Sequence, residues 1–161
     1  MRIQQYVAVS TEARQCRDFF EAHVNKLKNT PSYSSKNLEC YCAVASWFLQ
    51  TRISRYGIKS DLVVGKFKTH LGWDSDHCWV RIGNDIVDIT LTQFGRYEKV
   101  YIAPHDGRFT PLYVGQKAYD RLRKWPEEQS AFVSNFKDEF ESYMNEKFDK
   151  FRKETVDHTT A

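Results

Sequence analysis

The chain has 161 residues, 41% of them hydrophobic and 28% charged, a composition typical of a globular protein and unlike that of disordered or collagen-like chains. Its formal charge of +3 comes from 24 basic and 21 acidic residues that are interspersed. This pattern predicts no nucleic-acid partner, because proteins of that class concentrate basic residues on one surface. No apolar run has the length of a membrane-spanning helix, and the first residues carry no apolar signal core. We therefore expect a single cytoplasmic domain over residues 1–161, with no membrane association.

The first predicted element is an amphipathic helix over residues 10–28, in which apolar side chains recur at helical spacing. Ser10 or Thr11 is placed to cap its first turn. Residues 29–36 are polar and turn-forming, and they predict a loop.

A second helix is predicted from about Leu38 or Glu39 to about Tyr56, since Gly57 suits the position just after a helix end. Residues 42–49 within this helix contain a single strongly polar side chain. A helical segment that is apolar nearly all round is typical of a protein interior. We expect this helix to lie at the centre of the fold.

Strand-like runs rich in β-branched and aromatic residues follow, at residues 62–67, 77–82, 86–91 and 99–103. Strands in succession after helices predict an α+β domain with an antiparallel sheet. The expected architecture is a central helix packed on a small antiparallel sheet, with a core over about residues 37–105. Helices at the N- and C-termini would flank this core.

The C-terminal third is predicted to be helical, over about residues 116–154. Pro126, followed by two acidic residues, is a favourable helix start. Apolar side chains then recur at three- and four-residue steps and form one face: Phe132, Phe136, Phe140, Tyr143, Met144, Phe148 and Phe151. We expect this face to pack on the domain. The alternative is an interface with a partner protein or with a second copy of the chain.

The spacing of His77 and Asp88 predicts that they share one face of a hairpin. If residues 83–84 form a two-residue turn, counting back along the strands places Asp88 opposite Trp79. His77 points to the same face as Trp79, because side chains alternate along a strand. His77 and Asp88 are then diagonal neighbours whose side chains can reach each other.

Four cysteines are expected to be free thiols, because nothing in the sequence indicates secretion: Cys16, Cys40, Cys42 and Cys78. Zinc held by Cys40, Cys42, His77 and Cys78 would require an irregular ligand spacing. We therefore expect no metal and no other cofactor.

Cys42, His77 and Asp88 succeed one another as a cysteine in a buried helix, a histidine on one strand and an aspartate on the next. A thiol nucleophile, a proton-transferring imidazole and an orienting carboxylate follow this order. Each residue alone is more often structural than catalytic, and a buried cysteine is usually an inert small hydrophobe. Together the three indicate acyl-transfer chemistry.

These residues resemble the pattern of the transglutaminase-like superfamily, a branch of the papain-like cysteine enzymes. Cys42 stands at the position of that family's nucleophile, and Gly57-Ile58 and Gly65 follow at its usual spacing. The block His77-Cys78-Trp79-Val80 is similar to the family's His-Ala-Trp-Val, and Asp88-Ile89-Thr90 is similar to its Asp-Pro-Thr.

The resemblance covers about residues 37–92 and favours Cys42 over Cys40 as the nucleophile. Two positions depart from the family pattern. Arg81 replaces a common glutamate, and Ile89 replaces the proline.

The resemblance implies a hydrolase of peptide or isopeptide amide bonds, either a protease or a glutamine deamidase, with a protein or peptide as its substrate. Cys42, His77 and Asp88 would form its catalytic triad, and Asn37 and Trp73 are candidates for oxyanion or substrate contacts. One alternative is an acyltransferase of the arylamine N-acetyltransferase or transglutaminase type. Another is a non-catalytic interaction module that keeps the fold.

Overall fold

The structure, a computed structural model, describes residues 1–27, 38, 41–123 and 138–159. This part of the chain is α+β, with four α-helices and a five-stranded antiparallel sheet. In chain order the elements are α1 (Ile3–Leu27), α2 (Cys42–Ser54), β1 (Asp61–Lys68), β2 (Asp74–Ile82), β3 (Asp85–Asp88), a short 3-10 helix (Leu91–Phe94), β4 (Tyr101–Pro104), β5 (Phe109–Val114), α3 (Gln116–Arg123) and α4 (Asp138–Thr159). None of the helices in these ranges is long and apolar enough to span a membrane.

Helix α1 begins at Ile3, so the predicted start at residue 10 is wrong. Ser10 is an internal residue whose hydroxyl donates a hydrogen bond to the Val7 carbonyl at 3.1 Å. The first turns carry apolar side chains that remain exposed, including Ile3 and Val7. The residues of this helix are buried only from about Val9 onwards. The sequence pattern therefore predicted where the buried face of the helix begins, and not where the helix itself begins.

Helix α2 is the buried centre of the fold and packs against α1, β1 and β2. It begins at Cys42, later than the predicted start at Leu38 or Glu39. It ends at Ser54, and Gly57 has a φ of +69°, the left-handed conformation that favours glycine after a helix. The late start is important because it places Cys42 in the first turn.

The strand order in the sheet is β4-β3-β2-β1-β5. Ile82 pairs with Asp85, which confirms the two-residue turn at residues 83–84, and Gly83 has a positive φ of +59°. Strand β3 is shorter than predicted. It ends at Asp88, and the chain then turns into the 3-10 helix.

Strand β5 was missed by the sequence prediction. It pairs with the outer side of β1 and so forms an edge of the sheet. Pro111 lies within it, and proline is tolerated in an edge strand because its missing N–H faces away from the neighbouring strand. Because this strand is short and contains a proline, its sequence lacks a recognisable strand pattern.

The sheet buries both of its faces. The face towards the helices carries Cys78, Val80 and Ile82, which belong to the main core together with α1 and α2. The opposite face carries Trp79 in a second cluster of largely aromatic residues, which includes Phe67 and Phe109. His77 lies on this second face, and its ring contacts Phe67.

Helix α4 packs on the core through Phe148, which is fully buried, and Phe151, which is partly buried. The guanidinium groups of Arg52 and Arg152 lie 4.7 and 4.4 Å from the centre of the Phe148 ring, and both arginines form ion pairs with the buried Glu12. This part of the predicted aromatic face therefore contacts the domain. The structure extends the helix to Thr159.

Several C-terminal predictions lie outside the described residues. Pro126, Phe132 and Phe136 belong to residues 124–137, and the side chains of Phe140, Tyr143 and Met144 are likewise outside the described part. The interface alternative for the aromatic face stays a prediction.

Gly65 lies where β1, β2 and β5 are packed too closely for a side chain. A Cβ at this position would lie 2.2 Å from the Thr110 carbonyl oxygen and 2.8 Å from the Trp79 ring. We expect Gly65→Ala to lower the free energy of unfolding by about 3 kcal/mol, the upper range for overpacking a core. Gly107→Ala is the matched control, because a Cβ there meets nothing within 4 Å. Urea unfolding measures both, and equal stabilities would contradict this account of the packing.

Candidate active site

Asp88 is the last residue of β3, and its carboxylate is held in place by Thr90. One oxygen, Oδ1, accepts hydrogen bonds from the Thr90 backbone N–H at 2.8 Å and from its hydroxyl at 3.1 Å. The other oxygen, Oδ2, lies 2.5 Å from Nε2 of His77. Both Asp88 and Thr90 are fully buried. The carboxylate therefore has one fixed orientation, directed at the imidazole.

His77 is also fully buried, and aromatic rings surround it. The nearest centroid is that of Phe94, 4.9 Å away, and Trp79 is stacked at 6.0 Å. Because Nε2 pairs with Asp88, the other ring nitrogen, Nδ1, is the one available for proton transfer. Nδ1 makes no regular hydrogen bond within the described part of the chain.

Arg17 of α1 holds the chain where it leaves β3. Its guanidinium donates hydrogen bonds to the Ile89 carbonyl at 2.7 Å and to the Thr92 hydroxyl at 2.8 Å, and it pairs with Glu21. These bonds turn the Ile89 carbonyl away from β2. The β2–β3 ladder accordingly stops at the Val80–Val87 pair.

The first turn of α2 lies beside β2 at Cys78, just beyond that pair. The Ser46 hydroxyl donates a hydrogen bond to the Cys78 carbonyl at 3.0 Å. Cys42 precedes Ser46 by one turn and shares its face of the helix. Cys42 is therefore close enough to Cys78 and to His77 for both residues to lower its pKa. Helix α2 thus provides a hydrogen-bond partner for the backbone of β2 at Cys78, where β3 no longer pairs with this strand.

These contacts favour a thiolate at Cys42. Hydrogen bonding from the Cys78 thiol lowers the pKa of Cys42 most, and the His77 ring and the Cys78 backbone N–H add to it. Together they hold this pKa well below the usual value, against the opposing effect of burial. The partial positive charge of a helix N-terminus acts in the same direction.

The imidazole is correspondingly protonated. Burial alone would lower the pKa of His77, but the charge and the hydrogen bond of Asp88, together with the Cys42 side chain, raise it to about 10. Both shifts favour the ion pair of a Cys42 thiolate and a His77 imidazolium over the neutral pair. Such a pair activates a thiol as a nucleophile.

Cys42 is the first residue of α2, so its backbone N–H belongs to the first turn of the helix. The Ala45 N–H donates to the Tyr41 carbonyl at 2.9 Å and begins the helical ladder. The N–H groups of the first turn precede this ladder and have no acceptor within the helix. The Cys42 N–H is thereby suited to stabilise an oxyanion on a carbonyl that the thiolate attacks.

Three of the five predicted site residues come together: Cys42, His77 and Asp88. Trp73 lies in the connection between β1 and β2 with 70% of its surface exposed, apart from the buried group. A surface contact between Trp73 and a substrate stays a prediction. Asn37 lies outside the described residues.

Other residues of the site were missed by the sequence analysis. The Asp-x-Thr spacing of Asp88 and Thr90 is a local sequence signal for their contact, since a carboxylate commonly accepts a hydrogen bond from the backbone N–H two residues later. No local signal identifies Arg17 or Ser46, because both bind backbone groups that are remote in sequence.

The reacting groups are closely packed. Cys42 has 8% of its surface exposed, while His77 and Asp88 have none. A cavity of about 380 Å³ lies between α1 and the region of β4, lined by residues that include Arg14, Lys99 and Ile102 but none of these three.

Within residues 1–27, 41–123 and 138–159, no group of three or more histidine, cysteine or acidic side chains is arranged to hold a metal ion. Cys40, the further cysteine of the irregular zinc set, is outside the described part.

Comparison with known proteins yields no match. No protein-family model matches the chain, and neither a curated protein nor a solved structure is significantly similar to it.

The thiolate at Cys42 predicts unusual reactivity. We expect iodoacetamide to alkylate Cys42 at a rate nearly constant from pH 8 down to pH 6, whereas the rate for an ordinary cysteine falls about tenfold per pH unit below its pKa. Peptide mass spectrometry assigns the alkylated residue. Cys16 is an internal control, because burial raises its pKa well above the usual value.

His77→Ala should raise the pKa of Cys42 and make its alkylation rate decline more steeply below pH 8, since it removes the imidazolium and leaves only the Cys78 hydrogen bonds. A rate for Cys42 that declines with pH as for a free thiol in the unaltered protein would contradict the ion pair.

Proposed function

We propose that the chain is a cysteine-dependent acyl-transfer enzyme with a papain-like, transglutaminase-like core, which hydrolyses peptide or isopeptide amide bonds. The observation that carries the proposal is the arrangement around His77. One ring nitrogen is held by Asp88 at 2.5 Å, and the ring interacts with Cys42 at the start of α2. This arrangement supports the roles of nucleophile for Cys42, proton-transferring group for His77 and orienting carboxylate for Asp88.

In the first half of the reaction the Cys42 thiolate attacks the amide carbonyl carbon and forms a tetrahedral oxyanion. The Cys42 backbone N–H stabilises the oxyanion. His77 then donates its proton from Nδ1 to the departing amine, the C–N bond breaks and a thioester forms on Cys42. Asp88 holds the ring in the required orientation throughout.

In the second half, water attacks the thioester. Neutral His77 accepts a proton from the water through Nδ1, the C–S bond breaks, and the carboxylic acid leaves as the thiolate–imidazolium pair returns. Hydrolysis is favoured over transfer because water reaches a closely packed sulfur more readily than a second large substrate does. Ammonia as the leaving amine corresponds to glutamine deamidation, and a peptide amine corresponds to proteolysis.

The test is activity on glutamine-containing peptides and on isopeptide-linked peptides, with released ammonia and cleaved products measured separately. We expect Cys42→Ala to lower the rate by about 10³-fold or more without changing the fold. Cys40→Ala is the matched control and should retain the activity. Loss of activity in Cys40→Ala with retention in Cys42→Ala would overturn the assignment of the nucleophile.

The pH dependence of hydrolysis provides a separate test. Activity should decline at alkaline pH as His77 loses its proton, near its pKa of about 10. Because Asp88 raises this pKa, Asp88→Asn should move the alkaline limb to lower pH and reduce the maximum rate. Rate profiles of both proteins measure the shift. An unchanged alkaline limb would contradict the role of Asp88.

A further inference from the structure

Cys78 is a second thiol that the proposed reaction does not use, and it lies against the nucleophile. It follows His77 on β2, so its side chain points to the opposite face of the sheet, towards α2. The Ser46 hydroxyl is bound to the Cys78 carbonyl, and Cys42 lies one turn before Ser46 on the same helix face. Both thiols are buried in the same core cluster, and neither is in a disulfide.

The two thiols differ in their protonation. Burial, and then the neighbouring Cys42, raise the pKa of Cys78 well above its usual value, while hydrogen bonding from Cys78 lowers that of Cys42. These opposite shifts favour a protonated Cys78 beside a Cys42 thiol that ionises more readily. An oxidisable thiolate with a protonated thiol in direct contact is the arrangement of a redox-sensitive cysteine beside a resolving cysteine.

We propose that Cys42 and Cys78 form a peroxide-sensitive pair, in which oxidation joins the two sulfurs in a disulfide and reversibly removes the nucleophile. This inference deepens the proposed function, because it rests on a reactive thiolate at Cys42. It adds an oxidative modification site to the same centre, and hydrogen peroxide is the oxidant.

The chemistry takes place in two balanced steps. The Cys42 thiolate attacks one oxygen of hydrogen peroxide, the O–O bond breaks, and a sulfenic acid forms on Cys42 with release of hydroxide, which takes up a proton to become water. The Cys78 sulfur then attacks the Cys42 sulfur, the S–O bond breaks, and the hydroxyl leaves with the Cys78 proton as a second water. Two thiols are oxidised to one disulfide, and one peroxide is reduced to two waters.

The position of Cys78 beside the first turn of α2, where Cys42 lies, makes the second step fast compared with further oxidation. A sulfenic acid that meets no thiol is oxidised by more peroxide to sulfinic acid, which dithiothreitol does not reduce. Cys78 would therefore protect Cys42 from irreversible loss. The cost is temporary inactivation, since a disulfide sulfur cannot attack a carbonyl.

The experiment treats the full chain carrying Cys40→Ser with hydrogen peroxide and maps its peptides by mass spectrometry. The substitution removes Cys40 as a competing thiol. We expect a Cys42–Cys78 linked peptide, a chain lighter by two hydrogen atoms, loss of Cys42 alkylation, and return of the starting alkylation rate after dithiothreitol. A peroxide-treated protein in which Cys42 is sulfinic acid and Cys78 remains a thiol would overturn the proposal.

Cys78→Ala, made in the same background, is the matched variant. After peroxide its Cys42 should be oxidised to sulfinic or sulfonic acid, with no recovery of alkylation on reduction. Recovery equal to that of the parent would overturn the role of Cys78. The linked peptide is measured in the parent protein, so the test holds even if the variant does not fold.

The outcome also separates this proposal from the proposed function. Rapid alkylation of Cys42 at pH 6 together with no linked peptide removes the redox proposal and leaves the thiolate intact. Slow alkylation together with no linked peptide removes both.

Discussion

The hydrogen-bonded pair of His77 and Asp88 is the interaction on which the rest of the site depends. Both side chains are fully buried, and burial of a charged pair is costly unless its remaining polar atoms are satisfied. Thr90 satisfies the second oxygen of Asp88 by donating two hydrogen bonds to it. This local clamp requires the backbone to turn directly after Asp88, and the length of β3 follows from it.

The early end of β3 determines where the reactive thiol lies. Beyond Asp88, none of the described strands pairs with β2 on that side, and the first turn of α2 lies there, with Ser46 hydrogen-bonded to the Cys78 carbonyl. Arg17 maintains the gap by binding the Ile89 carbonyl. The position of Cys42 is thus set by backbone groups of β2, which are more rigid than side chains and hold the sulfur near the imidazole.

Local patterns in the sequence predicted much of this arrangement. The turn at residues 83–84 and the alternation of side chains were enough to bring His77 and Asp88 to one face, because a hairpin register depends only on the turn and on a period of two. The start of α2 and the existence of β5 were missed. The start of α2 depends on where the helix meets β2. Strand β5 depends on pairing with β1, which is distant in sequence. Neither feature is therefore indicated by neighbouring residues.

The sequence by itself determined the α+β class, the buried central helix and the pairing of His77 with Asp88, since these follow from periodicity and turn chemistry close along the chain. Only the tertiary structure decided that Cys42 is the first residue of its helix, that Cys78 lies next to it, and which contacts lower the pKa of Cys42 and raise that of His77. The physical reason is that protonation depends on burial and on charges supplied by other elements. In this chain those elements are α2, β2 and β3, which meet only when the domain is folded.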